Sequence, residues 1–296
     1  MKQIISFSRR TDGVAFYMNR LEKAIEKEII NVRNPFNKKI SQVSLKPHDV
    51  AGFVLWSKDF HNFIKKWEIF LKYTPTSTLI SNKTIPVYFQ FTRNSLVKVL
   101  EPNTPTLEKS FSQLDELIEI TSSDHIMWRF DPIVFWEEDR VLVNNLKDFK
   151  EIALYFANVG VQKCTISFAT YYKKVEQRMK KVSFNYYKPS IKDMIKTANE
   201  LVNIADQYKI KIYACCNPDL LKIHKISQAH CISGNFLSKL WNVKLSLAKD
   251  SGQRETCGCT KSRDIGGYNK EWECHHGCLY CYANPNYKAY EKVLLK

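Results

Sequence analysis

The sequence contains few glycines and no long hydrophobic run among its 296 residues. Its nine glycines never fall at the spacing of a dinucleotide-binding turn or of a P-loop, which excludes both nucleotide-binding motifs. No run approaches the roughly 18 apolar residues that a membrane-spanning helix needs. The first ten residues are also too polar for the apolar core of a signal peptide. We therefore expect a cytoplasmic protein that has no membrane partner.

The residues that are abundant indicate a folded protein with an excess of positive charge. Hydrophobic residues make up 44% and charged residues 25%, which excludes a mostly disordered chain. Lys and Arg number 45 against 30 Asp and Glu, so the formal net charge is +15. This charge favours polyanionic partners such as nucleic acids, although it can also serve solubility alone.

Short β-rich runs alternate with longer segments of helical periodicity, which predicts an α/β fold with parallel strands. The predicted strands are residues 4–7, 53–56, 87–91, 126–130, 164–168 and 210–214. The predicted helices are residues 16–27, 60–73, 106–120, 146–157 and 190–208. Six strands are too few for a closed TIM barrel, so we predict a partial (β/α)6 TIM-like barrel over residues 1–216. Residues 217–296 then form a C-terminal cysteine-rich extension.

Polar or chemically reactive residues follow the predicted strands. They include Arg9, Arg10, Lys58, Thr92, Asp131 and Cys215. In barrels of this class the carboxyl ends of the strands carry the active site, so these side chains are expected at one mouth. For any single cation, a solvated position in a loop is the alternative.

Five of the nine cysteines fall near the C-terminus, where Cys274, Cys278 and Cys281 have the form C-x3-C-x2-C. In a chain without an export signal, such a cluster favours metal binding over disulfides. Three thiolates at this spacing can hold one [4Fe-4S] cluster and leave its fourth iron open to a small molecule. The alternative is a zinc site completed by a histidine or by another cysteine. Spacing alone does not choose between the two.

The cysteine spacing, Tyr280 before the third cysteine and Tyr282-Ala283 after it together resemble the cluster loop of radical S-adenosylmethionine (SAM) enzymes, especially the spore photoproduct lyase type. Four further segments resemble parts of the same lyases: VLWSKDFH (54–61), FQFTRNS (89–95), LEPNTPTLE (100–108) and RFDPI (129–133). In that family the cysteines come before these segments, whereas here they come after, as in a circular permutation. The whole chain also resembles an uncharacterised bacterial family, domain of unknown function 1848, whose members begin with a motif like SRRTD (8–12).

The resemblance implies a partial barrel of radical SAM type that binds a [4Fe-4S] cluster and SAM. The reduced cluster, fed by a donor such as flavodoxin or ferredoxin, would cleave SAM to a 5'-deoxyadenosyl radical that acts on an unknown substrate. By resemblance Lys58 and Thr92 hold the SAM carboxylate or ribose, and the backbone at Tyr280 meets the adenine. The candidates for further contacts to SAM or substrate are Arg9, Arg10, Arg129 and Asp131. Salt bridging at the rim is the alternative for each of them.

A second group of cysteines is predicted to form a separate metal site. It consists of Cys215, Cys231, Cys257 and Cys259. Gly258 adds no side-chain bulk, so Cys257 and Cys259 can turn toward one metal, and four thiolates would close a second iron-sulfur cluster or a zinc site. The alternative is that these are packing thiols.

The segment 171–196 combines positive charge with aromatic rings. Its cations are Lys173, Lys174, Arg178, Lys180, Lys181, Lys188, Lys192 and Lys196, and its aromatic residues are Tyr171, Tyr172, Phe184, Tyr186 and Tyr187. Cations for phosphates and rings for stacking are what nucleic-acid binding requires, whereas a solvated helix face is the alternative. The second function that remains open is therefore a zinc-stabilised nucleic-acid-binding protein without catalysis.

Overall fold

The computed structural model describes residues 1–74, 85–283 and 285. Its strands are β1 (Gln3–Phe7), β2 (Ile29–Arg33), β3 (Ile40–Ser44), β4 (Val50–Ser57), β5 (Val87–Thr92), β6 (Ile126–Ile133), β7 (Phe135–Glu138), β8 (Val141–Asn144), β9 (Lys163–Phe168), β10 (Tyr186–Tyr187), β11 (Lys211–Ala214), β12 (Ile226–Gln228) and β13 (Arg263–Asp264). Its α-helices are α1 (Gly13–Phe16), α2 (Met18–Glu26), α3 (His61–Ile64), α4 (Leu107–Ile120), α5 (Phe149–Asn158), α6 (Lys173–Lys181), α7 (Ile191–Gln207) and α8 (Gly234–Leu240).

Eight of the described strands form one large sheet in the order β12-β11-β9-β6-β5-β4-β1-β13. β1 pairs in parallel with β4 and β13, and β11 pairs in parallel with β9 and β12. The predicted α/β class with parallel strands is confirmed, and the six predicted strands are all present. The predicted strand number was too low, and the described strands do not close into a barrel. β12 and β13 are only three and two residues long, which is too short to give a recognisable β-rich run.

The chain divides into two compact units built from interleaved segments. Unit 1 consists of residues 1–91, 108–127 and 230–273, and unit 2 consists of residues 92–107, 128–229 and 274–296. The predicted domains, residues 1–216 and 217–296, are a different division that stays a prediction.

The core of unit 1 is built from aromatic side chains on β4, β5 and the start of α3. Phe60 stacks on Phe91 with ring centroids 5.0 Å apart, and Phe63 meets Phe89 edge to face at 4.9 Å. Aromatic pairs of this kind contribute about 0.5–1.5 kcal/mol beyond the burial of their area. Gly52 in β4 is required for close packing, because a Cβ there would lie 2.5 Å from the Pro86 carbonyl oxygen.

The core of unit 2 joins β6 to α5. The indole of Trp128 stacks on Phe149 and Phe156, with ring centroids 5.1 and 5.0 Å away. On the same unit, α7 begins at a capping box in which Ser190 and Asp193 each accept a hydrogen bond from the other's backbone N–H. Such a cap satisfies two N–H groups that the first helical turn leaves without partners. A small antiparallel sheet, in the order β10-β7-β8, completes the unit.

The helix predictions are confirmed where the apolar periodicity is long. α2, α4 and α7 lie within the predicted ranges, and α5 begins three residues later than predicted. The predicted helix at residues 60–73 is instead the short α3 followed by a 3-10 helix at Trp67–Tyr73. α6 was missed because six of its nine residues are charged. Within the described ranges, no helix is both long and apolar enough to cross a membrane.

Candidate functional site

The loop that carries Cys274, Cys278 and Cys281 belongs to unit 2 and is largely buried. Cys274 and Cys278 are 8% and 5% exposed, and Cys281 is half-buried. Gly277 has a φ of 70°, a left-handed conformation that glycine adopts without strain, and it lets the chain turn between the first two cysteines. The thiol of Cys281 accepts a hydrogen bond from the Ala283 N–H at 3.3 Å. The three cysteines therefore share one compact loop.

Arg178 of α6 holds this loop from inside unit 2. Its guanidinium is 2% exposed and donates to the carbonyl oxygens of Cys278, Leu279 and Cys281 at 3.4, 2.9 and 2.6 Å. Because a buried cation that donates to several carbonyls fixes their orientation, the path of the loop depends on Arg178. Arg178 is one of the cations of segment 171–196, for which phosphate binding and a solvated helix face were the alternatives, and its buried side chain serves neither.

Tyr280 connects the loop to a second buried group of polar residues. Its hydroxyl donates to the Glu101 carboxylate, which also accepts from Asn94 Nδ2 at 2.6 Å. Burial, together with the negative charges of Glu101 and Cys278, raises the pKa of Tyr280 well above its usual value. The hydroxyl thus stays protonated and remains a donor at neutral pH. Tyr280 is 9% exposed.

The turn at residues 100–103 pairs with the backbone of the loop. Leu279 N–H donates to the Leu100 carbonyl at 2.9 Å, and Asn103 Nδ2 donates to the His275 carbonyl at 2.9 Å. The buried ring of His276 meets the Asn103 carbonyl through Nδ1 at 3.1 Å. Two segments that both resemble the radical SAM lyases, 100–108 and the cysteine loop, therefore lie against each other within unit 2.

Arg129, Asp131 and Thr92 are also in unit 2. Arg129 is buried and forms a salt bridge with Asp131, whose carboxylate also accepts from Ser167. The Asp131 N–H donates to Asn94 Oδ1 at 2.8 Å, so this pair joins the group around Tyr280. Thr92 ends β5 and is half-buried. Contacts of these residues to SAM or substrate stay predictions.

Arg9 and Arg10 lie in unit 1 and form salt bridges with aspartates. Arg9 pairs with Asp250 at 3.2 Å, and Arg10 Nε lies 3.8 Å from Asp264. Asp264 also accepts from the hydroxyl of Ser8 at 2.9 Å and from the Arg9 N–H at 2.8 Å. Both arginines therefore form the salt bridges that were the alternative to ligand binding. Their contacts to SAM or substrate stay predictions.

Lys58 follows β4 in unit 1 and is held through its backbone. Its N–H donates to Asp12 Oδ2 at 2.9 Å, and the Ser57 hydroxyl donates to Asp12 Oδ1 at 2.7 Å. Asp12 also caps α1 by accepting from the Ala15 N–H at 2.9 Å. Asp12 of the SRRTD segment therefore fixes the position of Lys58 at the strand end. Lys58 as a residue is half-buried.

Three cysteines of the second predicted site meet in unit 1. The hydrogen bond with Cys231 lowers the pKa of Cys259, but the hydrogen bond with Cys257 and burial raise it, and the net pKa is raised. Burial lowers the pKa of Arg9, yet the charges of Cys259 and two aspartates raise it overall. Arg9 therefore lies near these thiols and acts to lower the pKa of Cys259, although the net pKa of that thiol stays raised. Cys215 belongs to unit 2, where its sulfur lies 3.9 Å from that of Cys216.

Thiols are the donors that iron-sulfur clusters and zinc prefer, so both cysteine groups fit such metals in donor chemistry. Across residues 1–74, 85–283 and 285, no three His, Cys, Asp or Glu side chains are arranged as a ready metal site. The predicted metal ligands therefore stay predictions that rest on donor type and on the shared loop.

These observations define the class of protein as an α/β chain with a parallel sheet and buried cysteine-rich segments. The model of one family, described as "Domain of unknown function (DUF1848)", matches residues 4–283. The chain belongs to this family, as the resemblance in sequence predicted. No curated protein and no solved structure matches the chain.

Sequence reasoning did not single out the residues that hold the predicted site together. Arg178 was counted among the exposed cations, although its spacing of three and one from Val175 and Met179 places it on the buried face of α6. Glu101 and Asn94 were quoted only as parts of resembling segments. Asp264 gave no signal, because it belongs to no motif and lies far from β1 in the sequence.

Proposed function

We propose that the protein is a radical SAM enzyme that binds a [4Fe-4S] cluster through Cys274, Cys278 and Cys281. The observation that carries this proposal is the packing of the cysteine loop against the turn at residues 100–103, through the backbone and side-chain hydrogen bonds of Leu279 and Asn103. Both segments resemble parts of one enzyme type, yet they lie far apart in the sequence. Contact between them is what a permuted enzyme of that type requires.

The order of the sheet supports the same proposal. β1, β4, β5, β6, β9 and β11 follow one another both along the chain and across the sheet. A sheet whose strands are neighbours in chain order is typical of barrel-type α/β folds, in which the strand ends form the active site. A partial barrel of radical SAM type is therefore part of the proposal.

The cluster, when bound, would supply the electron that cleaves SAM to methionine and a 5'-deoxyadenosyl radical, and an external donor such as ferredoxin or flavodoxin would reduce it again. The chain's own residues position the reactants. Arg178 would fix the cysteine loop through its carbonyls, and Glu101 would fix it through the hydroxyl of Tyr280. Lys58, held by Asp12, would pair with the SAM carboxylate. Arg9, Arg10, Thr92, Arg129 and Asp131 are proposed contacts to SAM or substrate.

The test is anaerobic purification followed by iron and sulfide analysis and an assay of SAM cleavage with dithionite as reductant. The triple substitution of Cys274, Cys278 and Cys281 to Ala should remove the loop's iron and all cleavage of SAM to 5'-deoxyadenosine. Cys216→Ala is the matched control, because this half-buried cysteine belongs to neither predicted site, and it should leave both signals unchanged. Unchanged iron content in the triple variant would refute the proposal, as would a colourless wild-type protein that contains only zinc.

A further inference from the structure

The solvent face of α6 carries an excess of positive charge beside the cysteine loop. This surface, called the α6 surface below, consists of Tyr172, Lys173, Lys174, Lys180, Lys181 and Tyr282. All six are exposed, whereas Val175, Arg178 and Met179 on the opposite face of α6 are buried. The helix is therefore fixed to unit 2 along one side and presents its lysines along the other.

The acidic residues of the same segment are already bound to partners. Glu176 forms a salt bridge with Lys188 at 2.5 Å, which lowers the pKa of its carboxyl group. Asp193 accepts from Ser190 at the start of α7 and from the Tyr187 hydroxyl at 3.1 Å. These carboxylates are used within the segment, so the four lysines of the α6 surface dominate its charge.

Two aromatic rings are exposed at the same place. Tyr172 and Tyr282 are each 44% exposed, and their ring centroids lie 6.4 Å apart. Tyr171 and Tyr186 of the same segment are half-buried and stack on each other, with ring centroids 4.8 Å apart. Tyr282 directly follows Cys281, whose carbonyl Arg178 of α6 binds. The exposed rings are thus attached to the loop that carries the predicted radical chemistry.

We propose that the α6 surface binds a single-stranded nucleic acid, with bases stacked on Tyr172 and Tyr282 and phosphates bound by the lysines. This inference names the substrate class of the proposed site, and its catalytic meaning rests on the proposed function. Exposed rings select a single strand because the bases of a duplex already stack on one another. A duplex would use the lysines but not the rings, so loss of a ring distinguishes the two forms.

Fluorescence anisotropy with a labelled DNA strand of about 15 nucleotides tests the stacking, since one binding site covers roughly that length or less. Tyr172→Ala should weaken binding about 5- to 100-fold, the usual range for loss of one stacked base. Tyr172→Phe keeps the ring and should bind as the wild-type protein does. Equal binding by the Ala and Phe variants would overturn the proposal, as would tighter binding of the matching duplex than of the single strand.

The dependence of binding on salt tests the role of the lysines. Lys173→Ala should lower the slope of log affinity against log salt by about 0.7, the value for one phosphate contact on a single strand. Lys211→Ala is the matched control, because this exposed lysine opens β11 at the opposite end of the strands and removes the same charge. Equal slopes for the two variants would show that the protein binds through its overall charge, which contradicts the proposal.

Binding is measured without SAM, and SAM cleavage is measured without DNA, so the two proposals can fail separately. Cleavage of SAM by a protein that binds no strand overturns the inference and leaves the proposed function standing. The opposite result is a protein that contains zinc, cleaves no SAM and binds single-stranded DNA through its rings. That result supports the inference and replaces the proposed function with a zinc-stabilised nucleic-acid-binding protein.

Discussion

At the scale of single residues, the cysteine loop is held by side chains that come from other parts of unit 2. Arg178 binds three of its carbonyls, and Glu101 binds the hydroxyl of Tyr280. Both contacts are buried, where hydrogen bonds to charged groups are worth more than at the surface. The loop can therefore keep its conformation even though it contains no helix or long strand of its own.

We expect Arg178→Met to destabilise the protein by about 2–4 kcal/mol, because three buried carbonyls lose a charged donor while the side-chain volume is nearly kept. Urea unfolding of the metal-free protein measures this change without any contribution from bound metal. Lys180→Met on the exposed face of the same helix is the control and should change the free energy of unfolding by less than about 0.5 kcal/mol. Similar values for the two variants would contradict a role for Arg178 in holding the loop.

A second prediction at this scale concerns Lys58 and rests on the proposed function. Lys58→Ala should weaken SAM binding roughly 10- to 100-fold, because a charge-assisted hydrogen bond to the carboxylate is lost. The absorption spectrum of the cluster should stay unchanged. Lys65→Ala, an exposed lysine at the end of α3, is the control. Equal SAM affinity of the wild type and Lys58→Ala would remove Lys58 from the site.

At the scale of elements, the candidate residues are positioned by short helices and by the ends of strands. Side-chain caps fix where some of these helices begin. Asp12 caps α1 and binds the backbone of Lys58, so one carboxylate couples a helix start to the end of β4. The capping box of Ser190 and Asp193 begins α7, the longest described helix, within the basic segment 171–196. N-terminal caps of this kind fix the residue at which a helix begins.

The cap of α7 gives a prediction for stability. Ser190→Ala should lower the free energy of unfolding by about 1 kcal/mol, because an N–H group of the first turn loses its acceptor. Ser227→Ala, at an exposed position of β12 in the same unit, is the control and should have an effect of less than about 0.5 kcal/mol. Thermal or urea unfolding compares the two variants. A cost at Ser190 no larger than at Ser227 would show that the cap contributes little.

At the scale of the whole molecule, each unit contains its own group of cysteines. Unit 1 contains Cys231, Cys257 and Cys259, close to the guanidinium of Arg9. Unit 2 contains the C-x3-C-x2-C loop and Cys215. Each unit is built from three segments that are separated from one another along the chain.

The predicted second metal site is testable at this scale. The double variant Cys257→Ala and Cys259→Ala should lose the metal of the second site while the iron of the C-x3-C-x2-C loop remains, because the two groups use different thiols. Metal analysis of anaerobically purified protein measures both. Iron and zinc each satisfy the prediction. A wild-type metal content that the loop's cluster fully accounts for would show that these cysteines pack without metal, as would an unchanged content in the double variant.

The sequence by itself determined the elements with strong periodicity, the parallel α/β class, the family and the C-x3-C-x2-C motif. These features depend on local patterns, since β1, β4 or α7 each show their buried side chains within one segment. Strands as short as β12 and β13 carry no such pattern and form only because a neighbouring strand offers free backbone groups. Their presence at the sheet edges followed from tertiary pairing.

The tertiary structure alone decided which residues surround the candidate site. Arg178 is charged and lies among lysines in the sequence, yet α6 turns it inward to carbonyls about 100 residues away along the chain. Asp264 meets Ser8 in the same way, across 256 residues. A buried charge is stable only where partners from distant segments surround it, and no local pattern specifies those partners. For that reason the cysteine motif, whose metal chemistry stays a prediction, was visible in the sequence, whereas the residues that hold the cysteine loop were not.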